Sequence, residues 1–216
     1  MNPPINCDCG FPPADRWPDD DLVVFGADLD PDTVTHAYTH GLFPMNVHTR
    51  RGDVLGWWSP VHRGIVPLDG VRITRSLRRS MGRYTCTVDR AFPDVMRLCA
   101  TVHSDEGNWI TPEFERTYGE LHRRGRAHSV ETWDEDGELV GGLYGIRIGG
   151  FFAGESMFHL ATDASKVALV HLVELMRLDG MSLLDTQWRT DHLATLGCIE
   201  VPRREYLGLL ARAIGE

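Results

Sequence analysis

The fold is decided by the stretch GGLYGIRIGGFFAGESMF, from Gly141 to Phe158, together with SLLDTQ, from Ser182 to Gln187, and the long apolar segment between them. Both stretches read as buried strands, yet polar residues interrupt them at Glu155, Asp185 and Gln187. A polar side chain in a buried strand needs hydrogen-bond partners or a function, because its burial without partners is costly. These three residues are therefore the first candidates for a site.

The elements around this stretch predict an α+β protein. Ala127–Trp133, Glu138–Ile148 and Phe151–Phe158 alternate and are separated by turn residues, so they form three antiparallel strands in sequence order. Asp163 is the expected N-cap of a buried helix that runs to about Leu178, and Ser182–Gln187 follows it as a strand. The result is a mixed, mostly antiparallel sheet with helices on both faces, an acyltransferase-like layout.

The first 60 residues have a different character. Residues 1 to about 22 are rich in Pro, Asp and Gly and predict an irregular segment, whereas Pro31–His40 predicts a helix capped by Asp30. Near residue 60 the pattern changes from loop-rich to alternating, so we expect a small N-terminal α/β module, 1–60, and a larger domain, 61–216. Trp57 and Trp58 are either a minor core or a stacking surface.

Further elements complete the larger domain. Proline follows a helix-opening residue at Phe92-Pro93 and Thr111-Pro112, which predicts two helices. At the C-terminal end we expect a short helix, a strand and a closing helix, at Asp191–Leu196, Ile199–Val201 and Arg204–Ala213.

Composition limits the partners and the compartment. The 216 residues include 22 basic and 31 acidic ones, and the net charge of -9 argues against indiscriminate binding of nucleic acid or anionic membrane. No apolar run approaches the ~18 residues of a membrane span, and the N-terminus lacks a secretory pattern. We expect a cytoplasmic protein with reduced cysteines, at positions Cys7, Cys9, Cys86, Cys99 and Cys198.

Five arginines and no acidic residue occur in the thirteen residues from Val71 to Arg83. Such a run is often only a solvated charged face. In a chain that is acidic overall, the concentration favours a patch for anions or a phosphate backbone. The arginines are Arg72, Arg75, Arg78, Arg79 and Arg83.

Several familiar chemistries lack their motifs. The chain has no HExxH, Walker A, GxSxG or repeated CxxC pattern, so we expect neither a metal nor another cofactor. Isolated histidines are more often structural than catalytic. We interpret five of them in that way: His122, His128, His159, His171 and His192.

Glu155 and Asp185 lie at the ends of predicted inner strands, which can meet in one cleft. Asp185 and Gln187 are two residues apart on one strand, so their side chains are expected on one face. Acyl transfer needs a group that orients and deprotonates an amine and donors for an oxyanion, which these residues can supply. Lys166, in the first turn of the long helix, is either merely exposed or receives a phosphate together with Ser165.

The motifs HSVETW, LVGGLYG, GESMF, Ser165-Lys166, the D-x-Q at Asp185 and LGCIEVPRREYL resemble those of the bacterial leucyl/phenylalanyl-tRNA–protein transferases. FGADL, GLFP, WWSP, RITRSLRRS and WIT match the same family in order, so the resemblance extends from about Phe11 to Leu210. It implies a GNAT-like C-terminal domain and an N-terminal module that contributes to the site for the tRNA 3′ end. It also implies a monomer that needs no cofactor or membrane.

The resemblance implies transfer of Leu or Phe, and also Met, from aminoacyl-tRNA to proteins that begin with Lys or Arg, which marks them for N-degron degradation. Asp185 and Gln187 would form the catalytic pair, and Glu155 would hold the basic acceptor residue. Trp109 would stack on the terminal adenosine, and Met45 stands where the family often has a second tryptophan. The pocket for the aminoacyl side chain would be lined by Leu143, Phe152, Met157, Leu169, Leu172, Met176 and Leu184.

Two other functions remain open from the residues alone. An acetyl-CoA-dependent N-acetyltransferase would want a glycine-rich pyrophosphate loop before the long helix, and ATDASK has none. A non-catalytic module that binds tRNA or a degron would keep its function without Asp185 and Gln187. Thr186 stands where relatives often have Cys, which excludes a thiol nucleophile at that position.

Overall fold

The structure, a computed structural model, describes residues 10–50, 52–102 and 110–215, without the side chain of His48. The helices are α1 (Pro31–Thr39), α2 (Arg75–Met81), α3 (Phe92–Val102), α4 (Pro112–Arg123), α5 (Ala164–Leu178), α6 (Asp191–Thr195) and α7 (Arg203–Ile214). The strands are β1 (Leu22–Phe25), β2 (Phe43–Thr49), β3 (Gly52–Trp58), β4 (His62–Val66), β5 (Thr85–Val88), β6 (Ala127–Trp133), β7 (Leu139–Ile148), β8 (Phe151–His159), β9 (Leu183–Gln187) and β10 (Ile199–Pro202).

The strands form two sheets. The smaller has the order β1-β3-β2 and the larger the order β10-β4-β9-β8-β7-β6-β5. Every neighbouring pair is antiparallel except β8 and β9, which are parallel because α5 crosses between them. The predicted α+β class, with a mixed and mostly antiparallel sheet, is confirmed.

Helices cover both faces of the larger sheet, as predicted. Leu143 and Leu184 face the buried helix α5, whereas Tyr144 and Leu183, one residue along each strand, belong to a second core cluster with α1, α3, α4 and α7. This alternation is the two-residue period of a strand buried on both faces. The position of α5 between two paired strands therefore fixes the middle of the fold.

The chain passes from one sheet to the other between Trp58 and His62. Trp57 is fully buried and donates from Nε1 to the Gly26 carbonyl at 2.7 Å, so it belongs to the core. The same core cluster includes Tyr38 from α1 and Phe151 from β8, so packing is continuous across this passage. The division into domains 1–60 and 61–216 stays a prediction.

Two local details differ from the expectations. The N-terminal module, expected to be loop-rich, contains a β-hairpin, because β2 and β3 pair over their whole length. Asp163 is the N-cap residue of α5, as expected, but its φ is 63° and its carboxylate bonds to no helix amide; the carboxylate accepts instead from Ser80 Oγ at 3.0 Å and pairs with Lys166. None of the described helices is long and apolar enough to cross a membrane.

Candidate functional site

The site begins where the parallel strands β8 and β9 separate. Their pairing ends at Ala153 opposite Asp185, although β8 continues to His159 and β9 to Gln187. The gap between the diverging ends opens a cavity of about 910 Å³. Its wall includes residues 154–157 of β8 and residues 186–188 at the end of β9.

A β-bulge occurs on each side of this gap. In β8 the register shifts between Ser156 and Gly154, so Glu155 has no opposite residue on β7. In β9 it shifts between Asp185 and Gln187, so Thr186 has none on β4. A bulge breaks the two-residue alternation and turns side chains out of the regular pleat. Each of the two strands is therefore irregular at the point where polar residues interrupt its apolar sequence.

Glu155 lies in the cavity wall and is held by two buried tyrosines. Tyr38 donates to Oε1 at 2.6 Å and Tyr118 donates to Oε2 at 2.9 Å, and the two hydroxyls lie 3.1 Å apart. Loss of water raises the pKa of Glu155 to about 7, although the two tyrosine hydroxyls oppose this effect. The charge of Asp185 adds to the rise and that of Arg63 opposes it, but within the described residues no cation forms an ion pair with this carboxylate.

Asp185 has the opposite environment. It is fully buried and pairs bidentately with Arg63, whose Nε and Nη2 lie 2.8 and 2.6 Å from the carboxylate oxygens. The Tyr206 hydroxyl donates to Oδ2 at 3.0 Å, and the backbone N–H of Gln187 donates to Oδ1 at 3.0 Å. Burial alone would lower the pKa of Arg63, but the charge of Asp185 outweighs this and raises it. All lone pairs expected of this carboxylate are thus engaged.

Gln187 ends β9 with φ of 56°, in the left-handed region. Its side chain is in the cavity wall, and its buried Nε2 has no hydrogen-bond partner among the described residues. Gly64, opposite it on β4, has no room for a side chain, since a Cβ there would lie 2.6 Å from the Trp188 carbonyl carbon. The expectation that Asp185 and Gln187 share one face was wrong, because the bulge turns only Gln187 towards the cavity.

Most of the predicted aminoacyl pocket lies in the wall of this cavity, namely Leu143, Met157, Leu169, Leu172 and Leu184, together with Met45. Phe152 and Met176 are buried but do not contribute to it. The ring of Phe152 instead covers the backbone of Gly145, where a Cβ would lie 2.4 Å from it. Met176 lies one turn beyond Leu172, about 6 Å farther along α5. Their assignment to the pocket is corrected accordingly.

The remaining predicted residues are placed as follows. Ser165 is in the cavity wall, and Lys166 beside it pairs with Asp163 at 3.2 Å. The predicted arginine patch is exposed, and within the described residues none of its members forms an ion pair. Trp109 lies outside the described residues. No group of three or more candidate metal ligands occurs in the part of the chain that the structure describes.

Sequence reasoning missed four residues that build the site: Tyr38, Tyr118, Arg63 and Tyr206. The two tyrosines that hold Glu155 are on α1 and α4, and the partners of Asp185 are on β4 and α7. No short-range spacing connects these residues to the strands they serve. The sequence did indicate that partners must exist, because buried carboxylates need hydrogen-bond partners and buried tyrosines at core positions of helices can supply hydroxyls.

Comparison with known proteins places this geometry in a family. The family profile described as "Leucyl/phenylalanyl-tRNA protein transferase" matches residues 65–211, and the profile of its N-terminal domain matches residues 27–61. The transferase of that name from Pseudoalteromonas atlantica is 47% identical over 207 residues, which cover 94% of this chain and 87% of the relative. The transferase from Rhizorhabdus wittichii is 50% identical over 190 residues, which cover 87% and 76%.

Similarity to solved structures is weaker. L-PGS from Bacillus licheniformis is 14% identical with a TM-score of 0.44, covering 72% of this chain and 65% of that one. A probable acetyltransferase is also 14% identical, with a TM-score of 0.41 and coverage of 62% and 89%. The family profiles and the relatives, which span nearly the whole chain, carry the assignment: this chain belongs to the leucyl/phenylalanyl-tRNA–protein transferase family.

Proposed function

We propose that this chain transfers Leu or Phe, and also Met, from aminoacyl-tRNA to the N-terminal α-amine of proteins that begin with Lys or Arg, marking them for N-degron degradation. Membership of the family supports the coarser activity, the transfer of aminoacyl residues from tRNA to proteins. The observation that carries the finer proposal is the cavity between β8 and β9. Its wall combines an apolar surface, a carboxylate with no cation partner among the described residues and an amide nitrogen with no partner there.

The donor side chain would occupy the apolar part of the cavity. Leucines and methionines line it, and flexible or γ-branched residues adapt to Leu, Phe and Met better than to β-branched donors. Shape alone discriminates modestly, by ~1–3 kcal/mol per methylene. The terminal adenosine would lie near Met45, whose thioether takes the place that a tryptophan often has in the family. The predicted stacking on Trp109 stays a prediction.

The acceptor would be held by Glu155. Its carboxylate is in the cavity wall, both oxygens are oriented by neutral hydroxyls, and no cation forms an ion pair with it among the described residues. A Lys or Arg side chain would supply that charge, and a charge-assisted hydrogen bond is about twice as strong as a neutral one. The α-amine beside it would then lie within the same cavity as the aminoacyl ester. This arrangement supports Glu155 as the residue that selects the acceptor.

The reaction replaces an ester by an amide. The neutral α-amine attacks the ester carbonyl carbon, an N–C bond forms, and the bond from that carbon to the ribose oxygen breaks. The proton that the amine loses ends on the ribose hydroxyl. Gln187 Nε2, which has no partner within the described residues, can donate to the carbonyl oxygen as negative charge develops there.

Asp185 fits an orienting role better than that of a proton acceptor. Its oxygens already accept from Arg63, Tyr206 and the backbone N–H of Gln187. Its side chain is not in the cavity wall. The hydrogen bond from the backbone N–H of Gln187 to Asp185 stabilises the left-handed backbone conformation of Gln187, which is strained for a residue other than glycine. Asp185 would therefore act through Gln187.

Labelled Leu transfer from charged tRNA to peptides that differ only in their first residue tests this proposal. Peptides beginning with Lys or Arg should be labelled, and otherwise identical peptides beginning with Ala should not. Gln187→Ala should reduce the rate for both basic peptides in proportion. Acetyl transfer from acetyl-CoA to the same peptides, without transfer from charged tRNA, would favour the acetyltransferase instead. Cytoplasmic location and the monomeric state stay predictions.

A further inference from the structure

Three basic side chains that the proposed chemistry does not use lie around the mouth of the cavity: His159 at the end of β8, Lys166 in the first turn of α5, and His192 in α6. His159 and His192 are both in the cavity wall, with parallel rings whose centroids lie 6.4 Å apart. Lys166 is the only lysine in the sequence, and all the other residues of the Lys and Arg types are arginines. We call these three residues the basic rim.

We propose that the basic rim binds a phosphodiester of the single-stranded 3′ end of the donor tRNA, next to the terminal adenosine. This proposal rests on the proposed function and adds a phosphate subsite to it. A lysine ammonium and imidazole N–H groups are donors that suit phosphate oxygens. Phosphate contacts of this kind fix the position and register of a nucleic acid without reading its bases.

The electrostatics of the basic rim favour an anion there. Burial lowers the pKa of His192, and the nearby Lys166 and His159 lower it further, while Asp163 opposes them. Asp163 pairs with Lys166 and accepts from Ser80, so it compensates part of the Lys166 charge, and Asp191, which lies in the cavity wall, is exposed. Positive charge close to His192 disfavours its protonated form, and a bound anion would favour that form.

The basic rim also adjoins the arginine patch of residues 72–83. Ser80, on the arginine-bearing helix α2, donates to the same Asp163 carboxylate that pairs with Lys166. Tyr84, just after that helix, donates to the Thr162 carbonyl at 2.9 Å. The arginine patch, the basic rim and the cavity therefore follow one another over the surface. A duplex bound by the arginines would direct its single-stranded end past the basic rim into the cavity.

Donors of increasing length test this proposal. We expect His192→Gln to raise KM by about tenfold for charged tRNA and for aminoacylated CpA, the effect of one lost charge-assisted contact, but not for 3′-aminoacyl-adenosine, which has no phosphodiester. His171→Gln on α5, outside the cavity wall, is the matched control and should change none of the three values. An equal rise for aminoacyl-adenosine, or no rise for any donor, would overturn the proposal.

Arg78→Glu combined with Arg79→Glu separates the basic rim from the arginine patch. This variant should raise KM for full-length charged tRNA and leave it unchanged for aminoacylated CpA, which is too short to reach the patch. A rise in KM for both donors would mean that the arginine patch also binds the short strand. That result would contradict a separate phosphate subsite at the cavity mouth.

A binding measurement that needs no turnover uses the single lysine. Lys166 is 28% exposed, so an amine-reactive acetylating reagent can modify it, and mass spectrometry reports the extent. Uncharged CpCpA should slow this modification in the wild-type chain and in His171→Gln, and less so in His192→Gln. Adenosine or inorganic phosphate should protect weakly, and protection equal to that by CpCpA would overturn the proposal. Failure of aminoacyl transfer alone, with protection intact, would refute the proposed function and not this subsite.

Discussion

Glu155 and Asp185 are two carboxylates on neighbouring strands, one on each side of the gap between β8 and β9, and their environments differ in one respect. Asp185 is paired with an arginine, whereas Glu155 accepts from two tyrosine hydroxyls and forms no ion pair within the described part of the chain. Arg63 compensates the charge of Asp185 inside the protein. Glu155 forms no ion pair with a cation among the described residues; the charge of Arg63 offsets its desolvation only in part, and its pKa is raised to about 7.

The difference separates structural from binding carboxylates. A buried carboxylate whose charge is neutralised within the fold is tolerated there as long as both partners remain, and removal of one partner alone destabilises the fold. A carboxylate oriented by neutral donors keeps its direction and still lacks a cation, so a ligand can provide one. Substitutions should therefore affect stability at Asp185 and acceptor binding at Glu155.

The largest expected effect is on stability. Asp185→Asn leaves the guanidinium of Arg63 buried without its counter-charge, and loss of one member of a buried pair costs about 3–5 kcal/mol. Urea denaturation followed by tryptophan fluorescence should show that decrease in the free energy of unfolding, and Glu155→Gln should show a much smaller one. Equal losses for the two variants would contradict the comparison.

A double variant sharpens this result. When Asp185→Leu is combined with Arg63→Met, neither charge remains, and apolar replacement of a buried pair is often neutral or stabilising. Most of the lost stability should return. Transfer activity should stay low, because the backbone N–H of Gln187 no longer has the Asp185 carboxylate as its acceptor.

The second effect is on the acceptor. Glu155→Gln should raise KM for peptides that begin with Lys or Arg by about 10- to 100-fold, the value of a charge-assisted hydrogen bond. Glu131→Gln is a matched control, since Glu131 is buried and, like Glu155, accepts from two hydroxyls, those of Ser129 and Thr87, but lies outside the cavity wall. An unchanged acceptor KM in Glu155→Gln would remove this residue from the acceptor site.

The third effect is on pH dependence. The pKa of Glu155 is about 7, so the carboxylate loses its charge as pH falls through that value and the basic acceptor loses its partner. Relative to Glu155→Gln, acceptor KM for the wild-type chain should rise about tenfold for each pH unit below 7, as a single ionisation requires. Both profiles share the dependence that comes from protonation of the peptide α-amine, so the difference between them reports Glu155 alone.

How far the sequence predicted this site depends on the range of the contacts involved. Period-two alternation and turn residues predicted β6, β7 and β8, and the apolar segment predicted α5, because those signals are local. Glu155, Asp185 and Gln187 were noticed for the same reason: a polar residue inside an apolar strand is visible in a few letters. The resemblance to a family supplied the chemistry.

The rest depended on irregular strands and on distant partners. Nothing in GESMF or DTQ reveals that Glu155 and Thr186 are bulged, and the bulge at Thr186 placed Asp185 and Gln187 on different sides. Tyr38 lies 117 residues from Glu155, and Arg63 lies 122 residues from Asp185. Only the assembled sheet brings such groups together, so the arginine that distinguishes the two carboxylates could not be predicted.

The smallest expected effect tests the hydroxyls themselves. Tyr118 donates to Glu155 Oε2 and so favours its charged form, against the desolvation that raises the pKa. Tyr118→Phe removes that bond and should move the acid limb of the acceptor profile upward by about 0.5–1 pH unit, as expected for a hydrogen bond of about 1 kcal/mol. Tyr206→Phe removes the corresponding hydroxyl from Asp185 and should leave the midpoint of that limb in place, because Arg63 still compensates the charge. A midpoint that moves equally in both variants would mean that the two carboxylates titrate as one coupled unit, and the distinction between them would then fail.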